Sequence, residues 1–319
     1  MDLVLSVQEI AQPIIKKPRQ RKPRAEATHI EFLANGLGAQ SMWLLRAAGQ
    51  RIIPATVSIS ADTGDELDCL ISTGERMTNR EFFDRYVLPL ADEWDIDARM
   101  VRARDKDGVE MPSIQDYTDL MIAQGKANHC KMPLFGSNGG RLGQSCTSRW
   151  KVRAIRQELR RMGATSARGA QGIHLGEAVR RMKGANPRQE HGMTTWDDVE
   201  GQSDGEPIIS GTWSHYYPLV ELRLDRAAVN ADLARWNIPY IVGSMCDRCS
   251  HKGRRHWLRT SPDKIAEIAA QEARFGGEFF FTSMRIPLLN AIEIMRGTAD
   301  TFDSDDDVQF DCDSGICGV

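Results

Sequence analysis

The first clear pattern along the chain is Ile30–Ala34, a short apolar run of β-prone residues, followed by Met42–Ala48, a run of strong helix formers. Gly36, Gly38 and Ser41 lie between them, which predicts a strand turning through small residues into a helix. Apolar positions return over Ile53–Ala61, predicting a second buried strand that ends at Asp62-Thr-Gly-Asp-Glu66. Thr78–Leu90 reads as a helix with Thr78 as its cap and Glu81 in its first turn, and Asp97–Arg104 as a third strand. Further helices are predicted over Ser113–Gln124, Thr147–Met162, Asp225–Trp236 and Ser261–Arg274, with a strand inside His215–Leu222. Strands alternating with helices predict an α/β fold, a mostly parallel sheet with helices on both faces. Residues 163–212, rich in Gly, Ser, Asp and Gln, read as a loop or lid with a short helix over Gly172–Met182.

The ends differ from the middle. Lys16–Arg24 carries six positive charges and two prolines, and residues 1–27 read as a disordered basic arm that could follow nucleic-acid phosphates. Residues 28–300 form the α/β domain, with its insertion near 163–212 and a cysteine-bearing distal part near 213–275. Asp303–Asp307 is an acidic linker, and 301–319 a tail that ends with Cys312 and Cys317. Over the 319 residues, 41% apolar and 27% charged content describe a globular chain. No apolar run approaches a membrane span and Met1–Gln12 lacks a signal-peptide layout. The expectation is a cytoplasmic protein, of a bacterium or an infected host cell, with no membrane partner. Its seven cysteines would then serve as thiols, metal ligands or redox groups.

Two chemical signals follow. A helix start after Gly36, Gly38 and Ser41 offers backbone N–H groups to an anion, although the spacing fits neither a dinucleotide fingerprint nor a Walker loop. Cys246-Asp-Arg-Cys249 reads as half a zinc site, half an iron–sulfur site or a redox pair, and His251 and His256 stand close enough to complete zinc. Cys146 opens the basic helix near Arg149, Lys151 and Arg153, where a thiolate would be favoured and a phosphate could also be held. Cys69 and Cys130 have no partner at ligand spacing and read as structural thiols.

Four blocks in order, Gly36–Ser41, Ala61–Glu66, Gln144–Ile155 and Tyr217–Leu222 with Cys246–Cys249 and Arg255–Trp257, resemble a known family. They are similar to the phosphoadenosine phosphosulfate (PAPS) reductase-like branch of the PP-loop, or adenine nucleotide α-hydrolase, superfamily, in its phage and mobile-element type. The resemblance implies a Rossmann-like sheet that binds an adenine nucleotide, ATP or PAPS. Gly36, Gly38 and Ser41 would hold its phosphates, Asp62, Thr63 and Gly64 would line the crevice, and Lys151 and Arg153 would contribute charge. It also implies a [4Fe–4S] cluster on Cys146, Cys246 and Cys249, with zinc as the alternative metal. By analogy with sulfonucleotide reductases, Cys317 would attack sulfur and Cys312 resolve the product, served by a reductant protein. The chain departs from the family at Gly36 and Gln40, where serine and aspartate are usual, and at Ser250-His251 after the second cysteine. The expected activity is sulfonucleotide reduction or nucleotide-dependent sulfur transfer. A rival reading is a degenerate nucleotide fold serving as a structural, nucleic-acid or partner-binding module, and a third is a zinc-stabilised nucleic-acid module.

Overall fold

The computed structural model describes residues 28–143, 145–177, 194–195 and 212–297. The basic arm, Gln144, much of the predicted insertion and the tail with Cys312 and Cys317 lie outside the described residues.

The main sheet is built from β1 (His29–Ala34), β2 (Val57–Ala61), β3 (Asp97–Val101), β4 (Ser166–Ala170), β5 (Thr194–Thr195) and β6 (Thr212–Tyr216). Their order is β3-β2-β1-β4-β6-β5, with the first five parallel and β5 antiparallel to β6. This is a Rossmann-like arrangement, in which the chain runs outward from β1 in one direction and then from β4 in the other.

The pleat sorts the side chains of β1. Leu33 faces one apolar cluster with Met42, Trp43, Leu44 and Leu45 of helix α1 (Ala39–Gly49). Ile30, Phe32 and Ala34 face the opposite cluster with Val57, Ile59, Ile155, Leu159 and Trp213. Helices therefore cover both faces, as the sequence predicts. Helix α2 begins at Asn79–Phe82, widens through Phe83–Val87 and continues as Leu88–Glu93. Its Thr78 cap and Glu81 exchange the two bonds of a capping box. Helix α3 (Ile114–Ala123) starts from Ser113, α4 (Arg153–Arg161) follows a wide turn over Thr147–Val152, and α5 (Arg226–Trp236) starts from Asp225. Helices α6 (Arg254–Arg259), α7 (Pro262–Ala273) and α8 (Leu288–Gly297) complete a third apolar cluster around Trp150, Trp257, Ile268 and Phe281.

Several boundaries depart from the sequence expectation. Of Ile53–Ala61 only Val57–Ala61 is strand, because Ile53 and Ala55 seal the end of α1 within the first cluster. The third strand stops at Val101, and the distal one is Thr212–Tyr216 followed by a helical turn, Pro218–Glu221. The largest correction is β4. It lies at the centre of the sheet, inside the stretch expected to be a loop, and α6 and α8 are also additions.

Candidate functional site

The order of the strands reverses between the parallel neighbours β1 and β4, and ligands in such sheets bind beyond the carboxyl ends at that point. The turn after β1 is tightly built. Leu37 takes a left-handed φ of 65°, and its N–H donates to Asn35 Oδ1 at 2.9 Å. Gly36 N–H donates to Ser41 Oγ at 3.1 Å, so Ser41 closes the turn on itself. Gly38 caps α1 without a side-chain bond, leaving the first-turn N–H groups directed out of the helix. Gln40 is 4% exposed and its Nε2 has no hydrogen-bond partner among the described residues. The turn after β4 comes against it, since a Cβ on Gly172 would stand 2.8 Å from Gln40 Cβ. An unsatisfied buried amide donor at a helix start is the feature that an incoming anion would complete.

The turn after β2 carries the acidic motif. Asp62 accepts from Gly64 N–H at 2.8 Å and from Arg102 at 2.8 Å. Thr63 is fully buried, and its Oγ1 lies 3.5 Å from Cys246 Sγ. Glu66 takes Asn79 Nδ2 on one oxygen at 2.8 Å. Its other oxygen faces Cys246 Sγ at 3.5 Å and Lys151 Nζ at 3.4 Å.

One distal segment joins the two turns. Ile241 N–H donates to Leu37 O at 3.0 Å, and Ser244 Oγ bonds to Gly36 O. Asp247 N–H then donates to Asp65 O at 2.6 Å. Arg248, between the two cysteines, is wholly buried; it pairs with Asp65 and Glu267 and donates to Gln271 Oε1 at 2.7 Å. This segment holds the cysteine pair against both strand-end turns.

Cys146, Cys246 and Cys249 share one electrostatic neighbourhood centred on Lys151. Burial pulls the Lys151 ammonium towards neutrality, but Glu66 and then the three thiols push its pKa upward, so it stays charged. Burial pushes the Cys246 thiol well up, with Lys151 opposing and Glu66 adding to the rise. Cys249 is pushed up to about 11 by burial and by Cys146. Cys146 is also raised by burial, with Lys151 opposing. The expected thiolate at Cys146 is therefore corrected: desolvation outweighs the helix start, and the cation that reaches the sulfur is Lys151. Arg149 lies instead over the Tyr117 and Trp150 rings, at 5.6 and 5.9 Å.

Among the described residues no group of three or more His, Cys, Asp or Glu is arranged to hold a metal ion. His251 hydrogen-bonds through its ring to Arg141, at 2.9 Å, and is pushed down to about 4 by burial and that guanidinium. The zinc quartet of Cys246, Cys249, His251 and His256 is thus not assembled. Cys69 and Cys130 are buried, as structural thiols should be. Arg153 stands at the start of α4. Sequence reading missed Gln40 and Gly172 as partners, Arg248 as the pin of the cysteine pair, and the buried His174 and Glu177 just beyond β4. The short spacing from Gly172 to Glu177 was the available signal, but it lay in a stretch read as loop.

No family model matches this chain, and no curated protein matches it. Solved structures similar in fold include these two. One is a PAPS reductase from Candida auris in a phosphate complex, 11% identical, covering 67% of this chain and 74% of its own with a TM-score of 0.34. The other is the U34-tRNA thiolase NcsA from Methanococcus maripaludis with its [4Fe-4S] cluster, 10% identical, covering 86% and 73% with a TM-score of 0.32. The strand order and register described above define the fold of this chain independently of either.

Proposed function

We propose that this protein carries out sulfur chemistry on an adenine nucleotide held at the start of α1. The observation that supports this best is the segment from Ile241 to Cys249, which touches the turns after β1 and β2 and brings thiols to the same crevice. Gln40 in place of a carboxylate offers an amide donor to the anion and only a neutral carbonyl to a metal ion, which favours a nucleotide bound without a divalent cation. Lys151, charged and shielded, would stabilise negative charge on a transferring sulfur group.

For sulfonucleotide reduction, the Cys317 thiolate attacks the sulfur and the nucleotide leaves with the bridging oxygen, giving a thiosulfonate. Cys312 then attacks Cys317 Sγ, sulfite departs, and a reductant protein restores the dithiol from the resulting disulfide. Both tail cysteines lie outside the described residues. Cys146, Cys246 and Cys249 lie in the electrostatic neighbourhood of Lys151, and soft thiols of this kind are the donors an iron–sulfur cluster uses. Cys146, Cys246 and Cys249 would hold it. When bound, it would supply Lewis-acid and electron-transfer chemistry for a sulfur group.

Gln40→Glu tests the nucleotide site, because it changes one buried amide to a carboxylate of the same shape. AMP, ATP and PAPS should each be tried for an increase in the wild-type melting temperature, without magnesium. At least one should raise it, and Gln40→Glu should abolish the rise. If none shifts the wild type at millimolar concentration, the fold is reused without its ligand and the binding-module reading stands.

A further inference from the structure

A second concavity, a cleft of about 810 Å³, opens beyond the carboxyl ends of β2 and β3. Arg80, in the first turn of α2, and Arg102, just past β3, reach Asp62 from different elements at 3.6 and 2.8 Å. Asp62 holds the two guanidinium groups side by side. Arg102 gives one N–H to that carboxylate, and Arg80 stands beyond hydrogen-bond reach of it, so both retain donors on the cleft they line. Paired guanidinium groups of this kind bind a phosphate through several parallel hydrogen bonds.

The rest of the lining complements the remainder of a nucleotide. Glu110, about half exposed, pairs with Arg104 through one oxygen at 3.3 Å and leaves the other to accept from hydroxyl or amino groups, while Leu67 and Met100 supply apolar surface for a ring. The volume is that of a small-molecule site. Asn79, also on the cleft wall, bonds to Glu66, whose other oxygen faces Cys246 and Lys151. A ligand here would lie two side chains, Asn79 and Glu66, away from Cys246.

We propose that this cleft binds a nucleotide phosphate, presented by a free nucleotide or by the end of an oligonucleotide, on Arg80 and Arg102 rather than on the start of α1, sharing Asp62 and Gly64 with the crevice expected for the adenine nucleotide. It goes beyond the adenine-nucleotide reading and does not depend on it. The test uses the full chain with two uridine probes, UMP and a short 5′-phosphorylated oligouridylate, followed by calorimetry. At least one probe should bind the wild type and Gln40→Glu equally. Arg102→Gln should weaken it by about tenfold or more, as loss of a charge-assisted pair implies. Arg80→Gln, at a half-exposed position where a change costs the fold little, should weaken it in the same direction. Binding of UMP alone assigns the phosphate to a free nucleotide, and binding of the oligouridylate alone to a chain end. Unchanged binding in both arginine variants would overturn the proposal. So would loss of binding in Gln40→Glu, which puts the phosphate at α1, or no binding of either probe at millimolar concentration.

Discussion

Arg248 should be the most stability-critical charged residue in the distal part of the chain. It and Asp65 are both fully buried, and it also pairs with Glu267, which is 40% exposed. Arg248→Met keeps the apolar stem but leaves Asp65 buried without its cation. Removing one partner of a buried pair costs about 3–5 kcal/mol. Water can take over at Glu267, so almost all of that loss belongs to Asp65. Burial already pushes Asp65 up to about 6, with Arg248 opposing. Its folded pKa is thus above the unfolded value. Its contribution to stability is fully present below about 4 and is lost as pH rises through about 6. Without Arg248 that pKa moves higher, and the penalty becomes greatest above neutral pH. Denaturant unfolding at pH 7.5 and pH 5 should show the defect shrinking on acidification, by at most about 1.4 kcal/mol per pH unit. Arg248→Met with Asp65→Asn should recover much of the loss, because the uncompensated charge is gone. A single variant that loses under about 1 kcal/mol at both pH values, or a double variant no better than the single, would refute the reasoning.

Two other outcomes bear on the thiols. Protein purified without oxygen should be brown, with iron and acid-labile sulfide, and Cys246→Ser should be colourless; colourless wild type with one equivalent of zinc would reject the cluster. Truncation after Asp307 should leave folding and nucleotide-induced thermal shifts intact while removing sulfonucleotide turnover, and full activity of the shortened chain would remove Cys312 and Cys317 from the mechanism.

What the sequence made legible was local. The cap at Thr78 forms as read, and the helices expected to start at Ser113, Asp225 and Ser261 are capped by those residues, each through a hydrogen bond between residues three apart. The turn after β1 was legible because glycines between an apolar run and helix formers have few other uses. The contacts that make the candidate site are non-local. Arg248 looks like an exposed polar residue within Cys-Asp-Arg-Cys, and only the fold places Asp65 and Gln271 around it. Lys151 reads as one more cation on a basic helix, yet Glu66 and three thiols enclose it. Desolvation is a property of what packs around a group, so the thiol at Cys146 could not be judged from its neighbours in sequence.

The central strand was hidden for a reason that can be tested. Ser166-Ala-Arg-Gly-Ala170 has no large apolar side chain, so it carries no strand signal of the usual kind. It is small because β1 is large. A Cβ on Gly169 would stand 2.7 Å from the Phe32 ring, and that ring already packs edge-on against Trp213 at 5.3 Å. The volume that a strand normally supplies itself comes here from its neighbour across the ladder. Gly169→Ala should therefore destabilise the protein by about 1–3 kcal/mol through overpacking. Backbone entropy alone would favour alanine by roughly 0.5–1 kcal/mol, so the two effects differ in sign. Phe32→Leu in the same chain should relieve part of the loss by opening space for the new methyl. Denaturant midpoints decide the matter: a neutral or stabilised Gly169→Ala would mean that Phe32 does not set the size of β4. The same strand delivers Gly172 to the start of α1, so a shifted β4 should also weaken nucleotide binding there.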